Sequence, residues 1–71
     1  MTTTEELIKA CTIDLKVMVI EALKSNIKTM EKEARDREMS KDYRDFYKKM
    51  LKTTRAHLRK AQAELNELRT A

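Results

Sequence analysis

The sequence predicts an all-α protein, an antiparallel two-helix hairpin of coiled-coil type that self-associates into a helical bundle. Three observations lead to this fold class. The 71-residue chain contains neither glycine nor proline, and charged residues make up 39% of it, which is typical of long helices and coiled coils. Apolar residues recur at helical spacing through most of the chain. A single cysteine excludes an intrachain disulfide, so self-association is the expected way for so short a chain to complete its core.

The first helix is predicted over about residues 4–38. Thr3 is suited to cap it, and Glu6 stands at the position that returns a bond to the cap. Apolar residues then follow at steps of three and four: Ile8, Cys11, Leu15, Met18 or Val19, Ala22 or Leu23, Ile27, Met30 and Ala34. We expect this stripe, Cys11 included, to lie in the core.

Residues 12–20 also alternate by twos, as a β-strand would. A helix is favoured because the helical period continues through this stretch without a turn signal, and because no other segment alternates to pair with it. Wound as a helix, the stretch is apolar around most of its circumference, and one neighbouring helix covers only one stripe. We therefore predict an oligomer interface made of Ile13, Leu15, Val17, Val19, Ile20 and Leu23.

The second helix is predicted over about residues 41–70, with Ser40 as its cap and Asp42 in its first turn. Its seam steps alternately by four and three residues, which is a heptad pattern: Tyr47, Leu51, Thr54, Leu58, Ala61, Leu65 and Leu68. The whole chain, 1–71, is then one hairpin domain. Two alternatives stay open, a break at Ser25-Asn26 that makes three helices, and one continuous rod.

The sequence offers little for catalysis. Cys11 and His57 are the one nucleophile–base pair, and a hairpin would hold them about 16 Å apart along its axis. We expect His57 to bond Glu21 across the hairpin instead. No metal-ligand spacing and no glycine-rich phosphate loop occurs. The sequence therefore predicts no enzyme, no metal and no cofactor.

The best candidate for a binding site is a basic stripe on the second helix. Between residues 41 and 60 stand eight basic and two acidic residues, and five of the cations share one helical face: Lys41, Lys48, Lys52, Arg55 and Arg59. Lys49 and Lys60 are expected to flank them. We predict partner or ligand binding at Tyr43, Tyr47, Lys48, Lys52, Arg55 and Arg59, where the cations attract negative charge and the tyrosines are placed to stack.

Three interpretations of this stripe remain: a solvated surface, a site for an acidic protein, and a site for nucleic acid or nucleotides. The sequence favours a small non-enzymatic oligomeric binding protein that inhibits, adapts or scaffolds a larger protein, with nucleic-acid or nucleotide binding as the alternative. A compact, glycine-free and highly charged helical chain also suggests an accessory protein of a phage or mobile element, although no particular residue indicates this. A lone cysteine and an N-terminus without a secretory leader predict a cytoplasmic protein. We expect no membrane span, because the apolar run at 17–20 is short. We also expect no binding to a membrane surface, because the second helix uses its apolar seam for packing and has no tryptophan.

Overall fold

The protein is a two-helix hairpin. A computed structural model describes residues 2–70, in which α1 (Thr4–Ala34) and α2 (Lys41–Thr70) pack along each other and no strand occurs. The Cα atoms extend over 58 × 15 × 12 Å. Residue numbers rise along α1 as they fall along α2 in the pairs that join the helices: Lys16 with Glu64, Glu31 with Arg55, and Glu33 with Tyr43. Within residues 2–70, neither helix combines the length and the apolarity that crossing a bilayer requires.

Both helices begin at capping residues that the sequence predicts. The Glu6 amide donates to the Thr3 hydroxyl at 3.2 Å, and two acidic residues follow in the first turn of α1. The Tyr43 amide donates to the Ser40 hydroxyl, also at 3.2 Å, at the start of α2. Each cap satisfies one backbone donor that has no acceptor within its own helix. The helix continues without interruption through residues 12–20 and through Ser25-Asn26, so the strand and three-helix alternatives are wrong. The break at residues 35–40 shows that the continuous rod is wrong as well.

The first helix ends at Ala34 rather than near residue 38. The Arg35 amide donates to the Lys32 carbonyl and the Asp36 amide to the Glu33 carbonyl, both at 3.2 Å. These three-residue steps tighten the last turn and close the helix. The Asp36 carboxylate then accepts from the Glu38 amide at 3.0 Å, an Asx-type turn. The link 35–40 therefore reverses the chain without glycine and without a positive φ angle in the described residues.

The seam between the helices contains two apolar clusters. Ile20, Ala61 and Leu65 form the first cluster, and Ile27, Ala34 and Leu51 form the second. On α1, the residues that face α2 repeat every seven positions, at 13, 20, 27 and 34, which keeps them on one side of the helix. On α2, the predicted heptad seam is the one that packs, with Leu51, Thr54, Ala61 and Leu65 buried.

The predicted stripe of α1 is confirmed only in its second half. Ile27, Met30 and Ala34 pack against α2. In the first half, Ile13, Val17, Ile20 and the predicted Leu23 take that position. The other predicted residues lie on the outside: Ile8, Cys11, Leu15, Met18, Val19 and Ala22. Cys11, which we expected in the core, is exposed. The reason is that two apolar stripes run along the start of α1, and the single seam of α2 covers one of them.

Candidate binding surfaces

The predicted basic stripe lies on one side of the hairpin and gains two lysines from α1. Lys24 and Lys28 line a surface hollow with Glu31 and Leu58, and Glu31 pairs with Arg55 at 3.6 Å. This places α1 cations beside the stripe of α2. We call the combined surface the basic side: Lys24, Lys28, Lys48, Lys52, Arg55 and Arg59. The α1 contribution is not readable from the sequence, because it depends on which stripe of α1 meets α2.

Three cations of the basic side have acidic neighbours within the chain, and one of them, Lys24, pairs with Glu21 at 3.9 Å. Lys48 pairs with Asp45 at 4.0 Å and Arg55 pairs with Glu31. Lys52 and Arg59 are exposed and form no ion pair with any residue in the described range 2–70. The side therefore carries positive charge that an acidic partner would neutralise.

The two tyrosines lie in the seam and contact α1. Tyr47 packs against the cluster of Ile27, Ala34 and Leu51, and its ring lies 4.8 Å from that of Tyr43 and 5.4 Å from that of Phe46. The Tyr43 hydroxyl donates to the Glu33 carboxylate at 3.1 Å. The four predicted cations share one side of α2 through their helical spacing, whereas both tyrosines contact α1.

The hydroxyl of Tyr43 remains protonated in this setting. Hydrogen bonding with Tyr47 raises the pKa of the Tyr43 phenol well above its usual value, and partial desolvation and then Glu33 raise it further. A phenol of this kind acts as a hydrogen-bond donor to Glu33. We conclude that Tyr43 joins the end of α1 to the start of α2.

A second surface lies on the part of α1 that faces away from α2. Five of its large apolar side chains are between 49% and 67% exposed. They recur at helical steps together with the exposed Cys11 and Ala22. We call this surface the outward apolar face: Leu7, Ile8, Cys11, Leu15, Met18, Val19 and Ala22. Isolated exposed apolar residues are ordinary, whereas a contiguous set of this length is typical of surfaces that contact another molecule.

The predicted oligomer interface is divided by the fold. Ile13, Val17, Ile20 and Leu23 pack against α2 within the chain, and Ile20 is only 5% exposed. Leu15 and Val19 belong to the outward apolar face. These two residues, and not the other four, are exposed for contact with another molecule.

His57 and Lys60 lie on the side of the hairpin opposite the basic side. Both line a hollow with Val19 and Leu23, whereas Glu21 lines separate hollows with Lys24. The expected bond between His57 and Glu21 is therefore wrong. Lys60, which we expected beside the basic stripe, also lies away from it.

An ion pair between Lys16 and Glu64 also joins the helices. Its direct hydrogen bond, followed by the Coulombic attraction of the Lys16 ammonium, lowers the pKa of the Glu64 carboxyl below its usual value. The pair lies beside the cluster of Ile20, Ala61 and Leu65 and ties that end of the hairpin together.

No protein-family model, curated protein or solved structure gives a significant match to this chain. The two surfaces are therefore the features of the chain that bear on its function.

Proposed function

We propose that the protein is a non-enzymatic, self-associating helical binding protein that acts as an inhibitor, adaptor or scaffold of a larger protein. Its hairpins are antiparallel and assemble into a helical bundle through apolar surface of α1. The assembly presents the basic side to an acidic surface of the partner. The observation that carries the proposal is the division of one slender hairpin into an exposed apolar face and a separate basic side.

The basic side supports binding of an acidic protein because its cations come from both helices and are fixed by packed elements. Lys52 and Arg59 lie one helical step on either side of Arg55, so an acidic partner meets a row of positive charges. Charges arranged in this way increase association rates and select partners, and their effect decreases as salt increases.

The test is a comparison of two charge-reversed variants in affinity capture from nuclease-treated lysate of the source cells. The first carries Lys52→Glu and Arg59→Glu on the basic side. The matched control carries Lys49→Glu and Lys60→Glu, which makes the same change of net charge on the same helix. We expect wild type and control to retain the same acidic protein and the basic-side variant to lose it. Equal capture by all three, or no capture by wild type, would contradict the proposal.

The alternative function is binding of nucleic acid or an anionic nucleotide, which would use Lys48, Lys52, Arg55 and Arg59 for phosphate contacts. The row of cations at helical spacing favours it, although the tyrosines lie in the seam. A fluorescence titration with DNA, RNA and nucleotides at low salt tests it. Binding that weakens steeply as salt increases, and that the basic-side variant loses, would select this alternative.

A further inference from the structure

The outward apolar face of α1 is long enough to form a second helix–helix seam. Ile8, Cys11, Leu15, Met18 and Ala22 follow at steps of three, four, three and four residues. This is the same heptad spacing that packs α2 against the other side of α1. Leu15 and Met18, the large residues at its centre, are 63% and 67% exposed.

The hairpin exposes more surface than a compact protein of its mass. Its solvent-accessible surface is 5946 Å² at 8.4 kDa, whereas a folded monomer of this mass exposes about 4,600 Å². The excess is about 1,300 Å² per chain, and a standard stable interface buries about 800 Å² on each partner. A second copy therefore has ample surface to cover.

The second half of α1 indicates the direction in which two copies meet. Beyond Ala22, the outward positions are polar: Ser25, Asn26, Thr29 and Lys32. A parallel pair would align each of these residues with its own copy and would bring Lys32 against Lys32 of the second copy, at an electrostatic and desolvation cost. An antiparallel pair overlaps the centres of the apolar halves and keeps the two Lys32 residues at opposite ends of the pair.

The sizes of the side chains indicate the register. Cys11 and Ala22 are small, and each lies four residues outside the large pair of Leu15 and Met18. A two-fold axis midway between Leu15 and Met18 places large against large and small against small. Since such an interface is isologous, each contact occurs twice.

We propose that the outward apolar face binds a second copy of this chain, with the two α1 helices antiparallel about a two-fold axis between Leu15 and Met18. Leu15 then packs against Met18 of the second copy, and Cys11 packs against Ala22 of the second copy. The two hairpins form a four-helix bundle with the basic sides accessible. This inference rests on the self-association in the proposed function and specifies its geometry.

Oxidative cross-linking tests the register, because Cys11 is the only native thiol. In the proposed dimer, the two Cys11 residues are about 16 Å apart along the axis, well beyond the Cα separation of about 4–7 Å that a disulfide spans. Wild type should therefore not cross-link within the dimer. Ala22→Cys places a new thiol opposite Cys11 of the second copy, so most of this variant should run as a covalent dimer on non-reducing gels.

The matched control is Ala22→Cys combined with Cys11→Ala, which leaves two distant thiols and should not cross-link. A parallel dimer would give the reverse pattern, since wild type and this control would both cross-link. Either that pattern, or no cross-linking of the Ala22→Cys variant, would overturn the proposed register.

Light scattering on the same proteins under reducing conditions separates this inference from the wider proposal. A dimer mass with the wrong cross-linking pattern defeats only the register, whereas a monomer mass at micromolar concentration defeats self-association altogether. Capture of an acidic protein through the basic side is measured independently of both.

Discussion

Truncation of Leu51 to alanine should remove a large part of the stability of the hairpin. Leu51 is 6% exposed and packs with Ile27 and Ala34 in the second seam cluster. Removing a buried leucine side chain costs about 2–5 kcal/mol, depending on how far the surroundings collapse into the cavity. A 71-residue chain has a free energy of unfolding of roughly 4–11 kcal/mol. The variant should therefore lose between about a fifth and all of its stability.

The neighbouring residue provides the control. Met50 precedes Leu51 in α2 but is 39% exposed, and Met50→Ala should cost less than about 1 kcal/mol because little packing is lost. Both variants have alanine in the same turn, so helix propensity is matched. Urea denaturation followed by circular dichroism at 222 nm gives the midpoints, and Leu51→Ala should lower the midpoint by about 1 M or more.

The measurement should use one fixed chain concentration for all proteins, because self-association adds concentration-dependent stability. If Leu51→Ala and Met50→Ala shifted the midpoint equally, Leu51 would not be a core residue and the described seam would be incorrect. A loss confined to Met50→Ala would mean that the side of α2 that carries Met50 packs against α1.

Three further outcomes are expected. Lys16 lowers the pKa of Glu64 below its ordinary 4.5. The ion pair therefore stabilises the fold above that pH, and this stabilisation is lost as the pH falls through the lowered pKa. Lys16→Met should accordingly reduce the stability to urea at neutral pH and not at strongly acidic pH. Ser40→Ala removes the cap of α2 and should cost about 1 kcal/mol in the same assay. Thr54→Val should be neutral or stabilising by up to about 1 kcal/mol, because the buried hydroxyl contacts only a weak acceptor, the Met30 sulfur at 3.6 Å. A clear loss of stability would show that this hydroxyl is needed.

The sequence is sufficient for the features that local chemistry determines. The caps at Thr3 and Ser40, the leucine seam of α2 and the helical state of residues 12–20 are all predictable, because each depends on residues close together in the chain. The early end of α1 at Ala34 is harder to predict from the sequence. Asp36 begins the turn through its side chain. An aspartate among alternating charges is a weak turn signal, and the sequence has no glycine there to mark the turn.

The side of α1 that meets α2 is the main feature that the sequence leaves unresolved. Periodicity at the start of α1 supports two stripes, one through Ile8 and Leu15 and the other through Ile13 and Ile20. The exact seven-residue repeat at 13, 20, 27 and 34 is the signal that distinguishes them, since it continues into the second half of α1. Once the stripe of α1 that meets α2 is known, the position of Lys24 and Lys28 on the basic side follows from it.

The two ends of the hairpin differ in how firmly they are held. Near the link, the Ser40 cap, the Asp36 turn and the bond between Glu33 and Tyr43 hold the helices together, whereas the residues from Thr4 to Cys11 are all exposed. Local opening should therefore start at the first turns of α1 and spread toward the link. Deuterium uptake by backbone amides would record this as a gradient along the rod, fast at the open tip and slow at the closed one.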